Sequence, residues 1–89
     1  MLSAITVGKV LQEFRSERGL SQEVVSGLAD IGRTHLSAIE RGVRKPTLET
    51  FFRICEAMDV SPSIVMKKLE DAMTEEKKSK APENDGKRS

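Results

Sequence analysis

Short segments with apolar residues at helical spacing follow one another along this chain, and each one stops near a glycine or a proline. In the first segment Val7, Val10 and Phe14 recur at the spacing of one helix face, and Gly19 ends it. A glycine just past a helix commonly adopts the left-handed conformation that terminates it. We find no segment with the pattern of a strand. The chain is therefore predicted to be an all-α protein whose short helices each bury one face.

Capping residues place the next two helices. Ser21 is predicted to be the N-cap of a second helix that ends near residues 29–30. After a tight connection, the third helix is predicted at about residues 33–41, and Gly42 terminates it. The expected inward faces are Val24, Val25 and Leu28 in the second helix, and Leu36 and Ile39 in the third.

Prolines mark the boundaries of the last two helices. Pro46 interrupts the helical pattern, because the residue before a proline avoids the α conformation, and Thr47 is predicted to cap the fourth helix. Ser61 followed by Pro62 is typical of a helix start, and this fifth helix is expected to end near residue 73. The apolar face of the fourth helix contains Leu48, Phe51, Phe52, Cys55 and Met58. That of the fifth contains Ile64, Val65, Leu69 and Met73.

The composition changes at Thr74. From there to the C-terminus Ala81 is the only apolar side chain, and a segment that buries so little cannot offset the entropy lost on ordering. We therefore divide the chain into one compact five-helix domain at residues 1–73 and a disordered, charged tail at residues 74–89. Five packed helices are enough for a small, marginally stable core.

Cysteine and histidine usage excludes several classes of protein. The chain has one cysteine, Cys55, and one histidine, His35, so neither an internal disulfide nor a Cys/His metal site is expected, and no cofactor is predicted. These two residues supply no nucleophile with a base, which argues against an enzyme. The charge-free run from Met1 to Gly8 is too short for a membrane span and lacks the basic start of a secretory signal. We expect a cytoplasmic protein without a membrane partner or an evident small-molecule ligand.

Charge is distributed unevenly although its total is small. The chain has 15 basic and 14 acidic side chains, a net charge of +1. In residues 33–45, however, Glu40 is the single acidic side chain, and four side chains are basic: Arg33, Arg41, Arg44 and Lys45. Such a patch can face a polyanion, because the local field and not the total charge is what matters. On composition alone, a solvated charged loop explains the patch equally well.

The second and third helices with their tight turn form the most informative stretch. Two short helices joined in this way can leave the second one exposed along one side. With Leu36 and Ile39 in the core, the outward positions of the third helix's first two turns are Arg33, Thr34, Ser37 and Ala38. A guanidinium, two hydroxyls and a methyl group suit the base edges of a DNA major groove. The pattern alone is weak, since many surface helices begin with similar residues.

The same stretch resembles the helix-turn-helix domain of the lambda-repressor and Cro (XRE) family. The motifs that carry the resemblance are LSQE at residues 20–23, RTHLSAIERG at 33–42 and RKPTLET at 44–50. The resemblance covers about residues 5–72, and within the family the chain looks most like restriction–modification controller proteins. It implies a lambda-repressor-like fold and sequence-specific binding to double-stranded DNA, with the activity of a transcription regulator or repressor.

The resemblance also implies roles for single residues. Gln22 corresponds to a family glutamine that binds phosphate and steadies the first recognition residue. The base contacts are expected from Arg33, Thr34, Ser37 and Ala38, and the loop contacts to the DNA backbone from Arg44 and Lys45. Arg15 and Glu40 match an ion pair that braces the first helix against the third in several members. Beside these we interpret His35 as a phosphate or water contact, or as a partly packed side chain.

Two residues depart from the family pattern. Gly32 occupies the N-cap position where the family usually has Ser, Thr or Asp. A glycine cap costs only a few tenths of a kcal/mol relative to these, but one possible phosphate contact is lost. Ala38 is smaller than the Arg or Gln often found at its position, which predicts a narrower direct readout of bases.

A homodimer is predicted, because one recognition helix seldom buries enough surface for useful affinity. Two-fold pairing would place two such helices about 34 Å apart, so the expected operator is pseudo-palindromic. The apolar residues of the fifth helix span more of its circumference than one intramolecular contact needs, and the expected dimer interface is therefore Ile64, Val65, Met66 and Leu69. The alternative that all four serve the core of one monomer stays open. An antitoxin that binds a toxin through its tail and regulates its own operon is the alternative left open.

Overall fold

The computed structural model describes the backbone of residues 1–88 and the side chains of residues 1–75. Its helices are α1 (Ala4–Glu17), α2 (Gln22–Ala29), α3 (Arg33–Glu40), α4 (Leu48–Ala57) and α5 (Pro62–Arg88), and residues 1–88 contain no strand. The predicted all-α class with five helices is confirmed. α1 packs against α3 and α5, α2 against α3 and α4, and α4 against α5, so every helix contributes to one core.

Three helices begin with a side-chain cap. The cap oxygens accept from backbone N–H groups three residues on: Ser3 from Thr6 at 3.0 Å, Ser21 from Val24 at 3.1 Å and Thr47 from Thr50 at 3.1 Å. Each cap contributes about 1 kcal/mol, because it satisfies a donor that the helix leaves without a partner. The predicted caps Ser21 and Thr47 are confirmed. At the start of α3 Gly32 makes no side-chain cap bond, as its lack of a side chain requires.

A left-handed residue turns the chain between α2 and α3. Asp30 has φ 58°, a conformation that aspartate adopts more readily than most residues with a side chain. Its N–H donates to the carbonyl of Gly27 at 3.2 Å, and the N–H of Ile31 donates to that of Ser26 at 3.0 Å. These bonds satisfy the last carbonyls of α2, and α3 begins only three residues after the turn. The tight connection expected from the sequence is present.

The core draws on all five helices. Its buried apolar side chains are Val7, Val10, Leu11, Val25, Ala29, Leu36, Ile39, Phe51, Ile54, Cys55, Met58, Val60, Val65 and Leu69. In α2 the structure differs from the sequence prediction, since Val24 is 46% exposed and Leu28 is 68% exposed. Ala29 takes the inward position next to Val25, because α2 turns that side toward α3 and α4. The predicted inward face of α2 is therefore wrong at Val24 and Leu28.

The start of α5 belongs largely to this core, and that corrects part of the predicted dimer interface. Val65 is fully buried and is therefore not available to a partner, whereas Leu69 is 5% exposed but lines an apolar groove that Met66 also lines. Val65 and Leu69 lie one helical turn apart and form the strip of α5 that faces α1 and α4. Ile64 and Met66 remain exposed, at 56% and 41%.

The predicted end of the fifth helix is too early. α5 is assigned as Pro62–Arg88, and Thr74 Oγ1 donates to the carbonyl of Glu70 at 3.0 Å. The helix therefore continues past residue 73. The predicted disorder of residues 74–89 concerns mainly residues 76–89, which lie outside those whose side chains are described. The disorder and the domain boundary at residue 73 stay predictions.

Gly8 allows α1 to approach the last turn of α3. A Cβ built at Gly8 would collide with the carbonyl oxygens of Ile39 and Glu40. No residue with a side chain fits there without moving one backbone away from the other. Because Gly8 lies in the middle of α1 and Glu40 at the end of α3, this contact sets how deeply the third helix sits against the first.

Gly8→Ala is expected to lower the free energy of unfolding by about 2 kcal/mol or more, because the new methyl group meets backbone and not a mobile side chain. The matched control is Gly27→Ala in α2, where an added Cβ meets nothing within 4 Å. That change is expected to stabilise by about 0.5 kcal/mol. Urea unfolding of both variants measures the difference, and equal effects would contradict the proposed close approach.

Candidate nucleic-acid interface

α3 has one fully buried side and one accessible side. Leu36 and Ile39 are 0% exposed and anchor the helix in the core. On the opposite side Arg33 and Thr34 are exposed, and Ser37 is half-buried. This division follows from the three-residue spacing of Leu36 and Ile39, which puts both on one side of the helix. The first two turns of α3 thus present polar side chains to solvent, as the sequence predicted.

An open cleft lies where the starts of α2 and α3 meet. Its volume is about 300 Å³, and its lining residues are Gln22, Arg33, Thr34 and Ser37. An amide, a guanidinium and two hydroxyls converge there. Each of these groups donates hydrogen bonds, and together they match the acceptors of phosphates and base edges. The structure therefore brings together four of the residues that the sequence singled out.

The other predicted DNA contacts lie outside this cleft. Ala38 and His35 are half-buried and do not line it. Arg44 and Lys45 are exposed in the loop between α3 and α4. That loop starts from a well-defined helix end, because the N–H of Val43 donates to the carbonyl of Ala38 at 2.9 Å. The loop cations are therefore not part of the cleft's wall, and Lys45 instead borders a separate cavity lined by apolar residues such as Leu48.

Arg41 belongs to the same side of α3, and the sequence interpretation did not assign it a role. It is exposed, and its Nε donates to Ser37 Oγ at 3.3 Å. Arg33, Ser37 and Arg41 succeed one another at intervals of four residues, which places them on one stripe of the helix. That spacing is visible in the sequence and was the signal available for finding Arg41.

A buried ion pair lies beneath this surface. Arg15 Nε donates to Glu40 Oε2 at 2.6 Å, and Arg15 Nη2 donates to Oε1 at 2.9 Å. The side chain of Glu40 is 3% exposed and that of Arg15 is 14% exposed. Arg15 Nη1 also donates to the carbonyl of Leu20 at 2.7 Å. The pairing implied by the family resemblance is present, and it joins α1 to the end of α3.

The same carboxylate has a third donor in Gln22. Its Nε2 donates to Glu40 Oε1 at 2.9 Å. This hydrogen bond connects a residue of the cleft to the ion pair beneath it. The sequence interpretation assigned Gln22 to phosphate and Glu40 to the ion pair without linking the two.

Two titratable groups, Arg15 and Cys55, have pKa values that their surroundings shift. The hydrogen bond to Glu40 raises the pKa of Arg15 above its ordinary value, although burial acts in the opposite direction. Because that ordinary value is already high, Arg15 keeps its charge, and with it the stabilisation from the ion pair, at every pH below it. Burial raises the pKa of the Cys55 thiol to about 11, which keeps it protonated and unreactive near neutral pH. No group of His, Cys, Asp and Glu side chains within residues 1–75 is arranged to hold a metal ion.

Arg15→Met is expected to lower the free energy of unfolding by about 3 kcal/mol, because it leaves the Glu40 carboxylate buried without its cation. Arg53→Met is the matched control, since Arg53 pairs with Glu49 at 2.9 Å on the exposed surface of α4. The control is expected to cost less than about 1 kcal/mol. Urea unfolding compares the two, and a cost of Arg15→Met no larger than that of the control would show that the pair does not hold the fold together.

The fold and this surface define a helix-turn-helix protein. A comparison with protein families agrees, since the model described as Helix-turn-helix (HTH_3) matches residues 11–65. The chain belongs to this family. Within the described residues, no helix has both the length and the apolar character needed to cross a bilayer.

Similar proteins are regulators. The chain is 38% identical over 55 residues to the uncharacterized HTH-type transcriptional regulator y4dJ of Sinorhizobium fredii, covering 62% of this chain and 71% of that protein. It is 39% identical over 54 residues to the control protein C.BamHI of Bacillus amyloliquefaciens, covering 61% of this chain and 67% of that one.

A solved structure has the same fold. The restriction-modification controller protein C.AhdI from Aeromonas hydrophila superposes with a TM-score of 0.67 at 31% identity, covering 70% of this chain and 94% of that chain. Together these findings make the chain a DNA-binding helix-turn-helix transcriptional regulator and not an enzyme, as predicted from the sequence.

Proposed function

We propose that the protein binds a specific pseudo-palindromic operator in double-stranded DNA as a homodimer. The observation that carries this proposal is the geometry of α3, whose underside is fully buried while Arg33 and Thr34 stand exposed at its start. A helix held in this way can enter a major groove without losing its anchoring in the core. The operator's sequence is then recognised through the residues of the first two turns.

The side chains divide into two kinds of contact under this proposal. Arg33, Thr34 and Ser37 read base edges, with the guanidinium suited to the two acceptors of guanine, while Ala38 offers only its methyl group. Gln22 and the backbone N–H groups at the start of α2 bind a phosphate on one side of the groove. Further phosphate contacts come from His35 and from the exposed cations Arg41, Arg44 and Lys45.

The proposed dimer contact is an apolar groove between α4 and α5. The groove has a volume of about 730 Å³, and its apolar lining includes Leu2, Phe52, Met66 and Met73. Phe52 is 46% exposed and Met66 is 41% exposed, although large apolar side chains on a small domain favour burial. Ile64 is exposed but does not line the groove. Of the residues first expected at the interface, Met66 and Leu69 line the groove, and Met66 is the more exposed of the two.

A controller of a restriction–modification system is the specific role that we favour. Its support is the likeness to C.BamHI and C.AhdI, whose names describe a control protein and a restriction-modification controller protein. The antitoxin alternative gains nothing from the relatives named above. The cytoplasmic location expected from the sequence remains part of the proposal, because operator DNA is accessible there.

Arg33→Ala and Lys45→Ala are expected to weaken DNA binding in different ways. Loss of Arg33 should cost about 1–3 kcal/mol on the operator and relax the preference at one base position, because a base contact is removed. Loss of Lys45 should weaken all duplexes about equally and lower the slope of log affinity against log salt by about one. The operator is first obtained by selection from a random duplex pool, and fluorescence anisotropy then measures both variants.

The outcomes of this experiment separate the parts of the proposal. An unchanged operator preference in Arg33→Ala would contradict the assignment of the first turn of α3 to base contacts. Selection that yields no preferred sequence would contradict sequence-specific binding altogether. A selected site without two-fold symmetry would contradict the dimeric operator while leaving α3 as the recognition helix.

Met66→Glu is expected to weaken dimerisation by at least about tenfold, because association would bury a carboxylate against apolar side chains. Leu28→Glu is the matched control, since Leu28 is 68% exposed on α2 and does not line the groove. Sedimentation equilibrium at micromolar concentration, with and without operator, measures both. A wild-type monomer under both conditions, or equal effects of the two changes, would refute this interface.

A further inference from the structure

Glu40 connects three helices through one buried carboxylate. It accepts two hydrogen bonds from Arg15 of α1, at 2.6 and 2.9 Å, and one from Gln22 of α2, at 2.9 Å. No buried side-chain nitrogen or oxygen within residues 1–75 lacks a partner, so this network is complete. Of its three members, only Gln22 also lines the polar cleft beside Arg33.

The hydrogen bond to Glu40 determines which end of the Gln22 amide faces inward. An ionised carboxylate only accepts hydrogen bonds, so the NH₂ group of Gln22 must point toward Glu40. That NH₂ group carries two hydrogens, of which Glu40 Oε1 takes one. The second hydrogen is left for an acceptor at the edge of the cleft. A phosphate oxygen is an acceptor of this kind.

Arg15 neutralises the charge of Glu40, a carboxylate buried beneath the proposed DNA-binding surface. An unpaired anion there would repel phosphate, but the bidentate contact from Arg15 compensates the charge of Glu40. The carboxylate can then orient Gln22 without an electrostatic penalty for the bound DNA. A side chain that is already oriented also loses less conformational freedom on binding.

We propose that Glu40 is a positioning residue for DNA binding, which acts through Gln22 by holding its amide in the orientation that binds phosphate. This inference rests on the proposed function and extends it, since the ion pair with Arg15 alone would give Glu40 a role only in stability. The two roles differ in one measurable way. A positioning role requires the effect of Glu40 on DNA affinity to depend on the presence of Gln22.

A double-mutant cycle with Gln22→Met and Glu40→Gln tests this dependence. Methionine keeps the length of the side chain and removes its amide. The Glu40→Gln change replaces a carboxylate that only accepts hydrogen bonds by an amide that also donates, so the Gln22 amide is no longer held in one orientation. Operator affinity is measured for the four proteins at a temperature where circular dichroism shows all of them folded. Each single change is expected to weaken binding about tenfold, as for the loss of one hydrogen bond to a charged group.

The double variant decides between the two roles. If Glu40 acts through Gln22, Glu40→Gln has little further effect once Gln22 is methionine. If Glu40 serves the fold alone, Glu40→Gln either leaves the affinity of the folded protein unchanged or weakens it by the same factor with and without Gln22, and either result refutes the inference. The free energy of unfolding is measured for the same four proteins. This comparison shows whether the non-additive effect on DNA affinity differs from any non-additive effect on stability.

The Gln22 amide of the unaltered protein provides a second test that does not depend on whether Glu40→Gln folds. In nuclear magnetic resonance spectra of the free protein, one Nε2 proton of Gln22 is expected to exchange with water more slowly than those of Gln12, an exposed glutamine of α1. On addition of the selected duplex, the other Gln22 proton should shift while the first stays protected. Gln22 protons that exchange as fast as those of Gln12 would refute the inference.

Failure of the inference and failure of the proposed function give different results. If the wild type binds no duplex, the function proposal fails together with any role in DNA binding, whatever the protection of the Gln22 amide. If the wild type binds its operator and Arg33→Ala weakens that binding, but the cycle is additive, the function stands and only the positioning role of Glu40 is refuted.

Discussion

The bidentate contact between Arg15 and Glu40 is the interaction on which the presentation of the third helix depends. α3 has only eight residues, and an isolated helix of that length is not stable in water. Leu36 and Ile39 hold its underside, and the ion pair ties its last turn to α1. Gly8 permits this approach, because any side chain there would meet the backbone of the same turn. The outward side of α3, with Arg33, Thr34 and Ser37, is thereby left accessible.

The ion pair also shapes the electrostatic character of the surface. Glu40 is the one acidic residue in the basic stretch from Arg33 to Lys45. Since Arg15 pairs with it below the surface, the exposed charges of this stretch are the cations alone. A chain with a net charge of only +1 can in this way present a basic face to a polyanion. The overall charge balance is therefore a poor guide to the proposed partner.

The two proposed interfaces use different helices. The polar cleft lies at the starts of α2 and α3, and the apolar groove lies between α4 and α5. The core between them is continuous, since α2 packs on α4 and α1 packs on both α3 and α5. A dimer formed through the groove would thus hold two recognition helices in a fixed relation, which is what a two-fold operator requires.

Local signals were sufficient for much of this protein. Ser21, Thr47 and the glycines after α1 and α3 could be predicted from the sequence, because caps and left-handed turns depend on residues close together in the chain. The buried pair Leu36 and Ile39, and with it the accessible side of α3, followed from helical spacing in the same way. The family motifs led to Arg15 and Glu40 as a pair.

Packing between helices decided the rest: Ala29 lies inward and Leu28 outward, Val65 and Leu69 belong to the core, and Gln22 bonds to Glu40. Spacing alone leaves the rotation of a short amphipathic helix open by about one residue, and only contacts with distant segments remove that freedom.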